Sequence, residues 1–248
     1  MSHFRIGRVE SDTGTAYLVY TEVANWVLLQ EGSDLTLIDG GYPGQAKTVL
    51  ESIRAIGARP EDIRGALLTH AHVDHLGGLA KLQARYGFDV YMDPIEVAHA
   101  RRDYLQQADV GDIAPIAYRP RVLRWLTAVT PLGVLSRAGL PDAQAFPEPL
   151  DLPGRPQPVA AYGHTDGHSA YLANDGAVLV SGDALVSGHP ISSVAGPQCI
   201  GDAFQHDVDE ARRSVESFTT LDATTLFPGH GPMYRGSVAE AADRALNR

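Results

Sequence analysis

Residues 69–78, THAHVDHLGG, place three histidines and an aspartate within six positions, in a chain of 248 residues that has ten histidines in all. The stretch runs on from IRGALLT, a short apolar pattern of the kind that forms a buried strand, and leads into HLGGLAKLQARYG, whose apolar spacing is helical. The cluster therefore sits where a strand ends. In an extended segment alternate side chains share a side, so His70, His72 and Asp74 are expected to point one way while His75, one step on, reaches a neighbouring position. That geometry suits two adjacent ions, and imidazole and carboxylate are the ligands of zinc and similar divalent metals. The competing reading is a surface cluster in which Asp74 caps the following helix. Four donors this close weigh against it.

The rest of the chain alternates between strand and helix patterns. TAYLVY, ANWVLLQ and LTLID are β-branched and aromatic runs separated by Gly, Ser and Asp, which predicts an N-terminal antiparallel meander. GQAKTVLESIRAIG has helical spacing and ends at Gly57, FDVYMD reads as a strand, and residues 94–140 read as several helices broken at Pro115, Pro120 and Pro131. From about residue 147 strands return in PVAAYG, SAYLAN and AVLVSG. A helix near 207–218, a strand TTLFPG and a terminal helix from Ser237 close the chain. Two β-rich halves, each followed by helices, predict an α/β (α+β) protein with two packed sheets and helices outside. The expectation is a single domain over 1–248 with a helical insertion over 94–150. That insertion carries six arginines and six acids, so it offers no basic stripe; its apolar VLRWLTAVTPLGVLSRAGL serves as core, as a cap over the site or as a homodimer contact.

Composition narrows the function classes. With 44% hydrophobic and 20% charged residues the chain is long enough to bury a large core. No apolar run reaches the roughly 18 residues that cross a bilayer, and MSHFRIGRVE lacks the charged start and apolar stretch of a secretory signal. Cys199 is the only cysteine, so nothing demands an oxidising compartment, and a cytoplasmic location is expected. A formal net charge of −10 disfavours nonspecific binding to nucleic acid or an anionic membrane. The expected partner is a small molecule.

Three more stretches carry donors. YGHTDGHS offers His164 and His168, VSGDALVSG offers Asp183 after an apolar strand, and LFPGHGPM offers His230 between glycines. Each lies in a Gly-rich turn after a strand pattern, where small neighbours let a side chain project toward a shared centre. Taken in this order with the first cluster, they resemble the metallo-β-lactamase superfamily, whose pattern is His-x-His-x-Asp-His, then a lone His, an Asp and a last His. The resemblance runs from LIDGG at residue 37 to PGHG at 231.

That resemblance implies a four-layer αββα sandwich with the site at one edge of the sheets. It implies one metal on His70, His72 and His164, a second on Asp74, His75 and His230, and Asp183 as the bridge. The cofactors are then two divalent ions, zinc first, with Mn2+ or Fe2+ as alternatives. A hydroxide between them attacks an ester-like carbonyl, and Asp74 orients it and carries a proton to the leaving group. His168 rivals His164, but the family's ligand is the histidine followed by Thr, which leaves His168 behind the ligands. Asp39 matches an aspartate that hydrogen-bonds a ligand histidine; it is also a natural turn residue before Gly40. Tyr118, Trp125, Tyr162 and His189 are candidates for lining a mostly apolar pocket, while His3, His99 and His206 read as surface or satisfied histidines.

Departures from subfamily patterns sharpen the expected activity. Zinc β-lactamases carry Cys or Ser where this chain has Asp183, the flavodiiron branch has Glu at the position of His72, and glyoxalase II proteins add a C-terminal helical extension where only seventeen residues follow Gly231 here. A lactonase, of the type that opens acyl-homoserine lactones, or a thioesterase fits best. The alternatives are a persulfide dioxygenase holding one iron through His70, His164 and Asp183, β-lactamase activity, and an inactive binding scaffold.

Overall fold

The computed structural model describes residues 4–248; His3 lies outside them. Strand β1 (Arg5–Glu10) extends by one strand the expected meander of β2 (Thr15–Tyr20), β3 (Asn25–Glu31) and β4 (Asp34–Ile38), each pairing antiparallel with the next. Helix α1 (Ala46–Ala55) then crosses to β5 (Ile63–Leu67), and α2 (Val73–Tyr86) crosses to β6 (Val90–Met92), so β4, β5 and β6 run parallel. After α3 (Glu96–Arg101), the short α4 (Val110–Ile113) and α5 (Pro120–Val129), the chain returns as β7 (Gln144–Ala145) at the edge of the same sheet. The segment from 94 to 150 is thus helical only in part. Its prolines open helical pieces rather than end them: Pro115 and Pro131 sit in the first turns of short 3-10 stretches, and Pro120 is the first residue of α5. A first-turn proline lacks only an N–H that has no helical partner there.

The second sheet holds β8 (Gln157–Ala160), β9 (Ser169–Ala173), β10 (Val178–Gly182), β11 (Thr225–Pro228) and β12 (Tyr234–Arg235) in the order β12-β11-β10-β9-β8. Helix α6 (Val208–Ser217) precedes β11, and α7 (Val238–Leu246) follows β12. Alternation along the strands sorts side chains between layers. Val27, Leu29 and Ile38 of the first sheet meet Val178, Val180 and Phe227 of the second. Their neighbours Leu28 and Leu37 pack outward on Val49, Ile53, Leu76 and Leu79 of α1 and α2. Leu179 and Leu226 pack outward on Val215, Val238 and Ala242 of α6 and α7. The result is a four-layer αββα sandwich. Val122, Trp125 and Val129 of α5 make a separate apolar cluster with Tyr42 and Val73, over the edge where β5 ends. No helix among the described residues is long and apolar enough to cross a membrane.

Candidate metal centre

Strands β5, β8, β10 and β11 end at one edge of the sandwich, and the donors lie in the residues that follow them. The chain stays extended through His72 and turns helical at Val73, so Asp74 and His75 stand in the first turn of α2 rather than in an extended segment. Two donors therefore come from extended backbone and two from a helical turn, which fans the four side chains apart. His72 occupies the cap position of α2 without a side-chain capping bond, and Asp74 is not the cap. Asp183 follows β10 directly, and His230 follows β11 after Pro228 and Gly229. Gly229 is obligatory, since a Cβ there would lie 2.2 Å from Asp183 Oδ1.

The donor atoms gather in three groups, each within 4.8 Å: His70, His72 and His164; Asp74, His75 and His230; and His70, His75 and Asp183. Asp183 stands between the first two, with Oδ1 3.5 Å from His75 Nε2 and Oδ2 3.6 Å from His164 Nε2 and 3.2 Å from His230 Nε2. His230 Nε2 is 3.4 Å from Asp74 Oδ2.

The surroundings decide which ring nitrogen of each histidine is free. His164 Nδ1–H donates to Gln205 Oε1 at 2.9 Å, His72 Nε2–H to the Gln106 carbonyl at 2.6 Å, and His75 Nδ1–H to Asp39 Oδ2 at 2.8 Å. Thr69 Oγ1 donates to Asp39 Oδ2 at 2.8 Å and so accepts from His70 Nδ1–H at 3.0 Å. For His70, His72 and His164 these outer bonds direct the inward nitrogen's lone pair to the centre, the tautomer that coordination requires. Among the buried polar atoms without a hydrogen-bond partner are His70 Nε2, His75 Nε2 and Asp183 Oδ1, all aimed at the centre. Orphaned donors of this chemistry at one point fit divalent cations.

Electrostatics agree. Burial, reinforced by the neighbouring imidazoles, holds His70 well below its ordinary pKa and His164 down to about 3; burial takes His72 to about 4. All three are neutral. His75 and His230 behave oppositely: burial opposes their charge, but Asp183 together with Asp39 or Asp74 outweighs it, lifting His75 well above 6.5 and His230 to about 9. Asp74 and Asp183 stay ionised despite burial because these imidazoles face them. Excess carboxylate charge at a buried point is thus balanced by protons on the nitrogens that cations would occupy.

His168 lies behind the donors, where its Nε2 accepts the Asp183 backbone N–H at 3.0 Å. Asp39, at φ 62°, also accepts the Thr69 N–H at 2.8 Å and so ties the β4 end to the β5 end. Asn25, which the sequence reading passed over, donates to the carbonyls of Pro228 and Gly231 at 2.8 Å each and clamps the His230 loop. Tyr42, three residues after Asp39 and also passed over, is buried beside the donors; burial and the charges of Asp74 and Asp183 push its hydroxyl well above the usual range.

Above the donors opens a cavity of about 400 Å³ whose floor includes His72, Asp74, His164, Asp183 and His230. Trp125, Leu126 and Val134 from the 94–150 segment line it, together with His189, 4.9 Å ring to ring from His230, and with Phe204, which packs edge-on to Trp125. Tyr118 and Tyr162 do not line it. Tyr118, just before α5, is 78% exposed, since its neighbour Ala117 takes the inward side. The Tyr162 hydroxyl donates to Asp93 at 3.1 Å, because Gly163 at φ 111° turns the chain between Tyr162 and His164. His99 is buried and bonded to Glu96, and His206 is half-exposed beside Asp166.

The sequence profile of the metallo-β-lactamase superfamily matches residues 19–230. This chain belongs to that superfamily. It is 27% identical over 246 residues to the probable metallo-hydrolase YflN of Bacillus subtilis, covering 90% of this chain and 88% of that one. A hydroxyacylglutathione hydrolase of Shewanella oneidensis is 30% identical over 176 residues, which span 71% of this chain and 53% of the enzyme. In fold, the chain is similar to MEM-A1, a subclass B3 metallo-β-lactamase from a soil metagenome library (TM-score 0.61, 19% identity, 95% and 91% coverage). It is also similar to the metallo-β-lactamase SMB-1 (TM-score 0.62, 18% identity, 94% and 91% coverage).

Proposed function

We propose that this chain is a metal-dependent hydrolase acting on an ester-like carbonyl, a lactone or a thioester, in a small molecule with an apolar portion. The observation that carries this reading is the convergence of orphaned His70 Nε2, His75 Nε2 and Asp183 Oδ1 under an apolar cavity. A pair of divalent cations, zinc first, would supply there a water of lowered pKa and a polarised carbonyl. His70, His72 and His164 contribute three neutral nitrogens; Asp74, His75 and His230 form the second set, and Asp183 reaches both. Asp74 orients the attacking water and receives a proton for the leaving group. The buried Tyr42 hydroxyl, facing Asp74 and Trp125, donates a hydrogen bond to the developing oxyanion. The wall of the 94–150 segment holds the apolar portion. Similarity to a hydroxyacylglutathione hydrolase supports the thioester arm.

The test is metal analysis of the purified protein, followed by assay of the loaded enzyme against lactones, thioesters and β-lactams. Two zinc or manganese ions per chain with lactone or thioester turnover is the expected result. One iron per chain with oxygen consumption on a persulfide would overturn the reading, and β-lactam turnover alone would redirect it.

A further inference from the structure

Glu96 is the least expected group near the centre. It opens α3 at the start of the 94–150 segment, is completely buried and makes no hydrogen bond to Lys or Arg; the nearby Arg102 guanidinium bonds the Ala71 carbonyl instead. The two Glu96 oxygens take four hydrogen bonds. Oε1 accepts from the Ala71 N–H at 2.7 Å and from His99 Nδ1 at 2.7 Å; Oε2 accepts from Thr165 Oγ1 at 2.8 Å and from the Gly167 N–H at 3.0 Å. Ala71 lies between His70 and His72, and Thr165 is next to His164. One carboxylate thus spans both loops of the three-histidine group, which are 92 residues apart between His72 and His164. A second line runs the same way: His99 Nε2 accepts the Gln106 N–H at 3.2 Å, and the Gln106 carbonyl takes the His72 Nε2–H. Gln106 joins the same loops nearer the surface, its carbonyl taking His72 and its side-chain amide bonding Asp166, but the Glu96 link is fully buried, where a carboxylate with four donors is costly to disturb.

We propose that Glu96 is the positioning residue of the three-histidine group, its carboxylate fixing the His70–His72 and His164 loops at the separation one cation needs. This rests on the metal-centre reading. Glutamine at 96 has one acceptor oxygen and one amide donor, so two of the four donors would face another donor; alanine removes the link. Outer-sphere partners of metal ligands change affinity by roughly 10–100-fold. The three-histidine ion should lose that much, while the ion on Asp74, His75 and His230 keeps its affinity, because none of those side chains bonds to Glu96.

The experiment titrates Zn2+ against a chromophoric chelator in apo wild type, Glu96→Gln and Thr165→Val, and compares Co2+ absorption spectra with those of His72→Ala and Asp74→Asn. Thr165→Val is the milder variant, removing a single donor at nearly constant volume, and it decides the matter if Glu96→Gln does not fold. The expected result is selective weakening of one ion, roughly 10–100-fold in Glu96→Gln and less in Thr165→Val, with the spectral loss matching His72→Ala. Wild-type affinity for both ions overturns the proposal. So does equal weakening of both, the mark of a general packing defect. A wild-type chain that takes up no divalent cation overturns the metal-centre reading, and this inference with it.

Discussion

At the residue scale the centre is governed by Asp183. Its carboxylate lies within 3.6 Å of His75, His164 and His230, and it is the one acid that reaches both donor groups. Asn at this position keeps the shape, halves the acceptor oxygens and removes the charge that two cations would share. Asp183→Asn is expected to fold, to retain less than two ions per chain, and to lower kcat by at least about 100-fold, a barrier increase of ~2.7 kcal/mol. Steady-state kinetics and metal content on the same sample check this, and wild-type turnover with two ions bound would remove Asp183 from the bridge. Its neighbours explain why the carboxylate is so well held: the Asp183 N–H is pinned by His168, and Gly229 leaves room for Oδ1.

Among the elements, the entry of α2 has the least tolerance. Gly78 donates its N–H to the Gly41 carbonyl at 2.8 Å, and a Cβ on Gly78 would fall 1.8 Å from the Gly40 carbonyl oxygen. The helix that presents Asp74 and His75 therefore rests directly on the loop that carries Asp39 and Tyr42. Alanine is the better helix former by about 1 kcal/mol, but a backbone carbonyl cannot step aside, and overpacking of this kind costs ~3 kcal/mol or more. The clash wins. The net cost of ~2 kcal/mol is expected to lower Tm by roughly 4–8 °C in Gly78→Ala, measured by thermal unfolding followed by circular dichroism; an unchanged Tm would show that the loop yields.

Over the whole molecule, the buried histidines set how the metal-free protein responds to pH. Burial lowers His72 to about 4 and His164, His168 and His189 to about 3, all below the unfolded value of 6.5. Such groups stay neutral when folded while the unfolded chain takes up protons, so their stabilisation is present above pH 6.5 and lost as pH falls toward 4. His75 and His230 are raised, His230 to about 9, so their stabilisation is present below pH 6.5 and fades as pH rises through 9. Chelator-treated protein is expected to have its highest Tm near pH 6.5, with the steeper decline on the acid side. Loading with zinc replaces the protons on His75 and His230 and should flatten the alkaline decline. A Tm of the apo protein that keeps rising above pH 8 would contradict the charge assignment.

Much of this was legible in the chain itself. The meander, the helices α1, α2, α6 and α7 and the strands before each donor follow from short-range periodicity, which local sequence carries directly. The strands β1, β7 and β12 were not seen: β7 and β12 are two residues each, too short to show a period, and RIGRVE has no clean alternation. Nine of the donor and supporting side chains, from Asp39 to His230, could be named because each is a chemically distinctive residue just beyond a strand pattern. Tertiary structure alone decided the rest. That the His168 ring accepts the Asp183 N–H, that Tyr118 and Tyr162 turn away while Tyr42 turns in, and that Glu96 joins two loops, all depend on contacts between residues distant in the chain. A sequence states which groups are available at each strand end; only packing states which of their atoms meet.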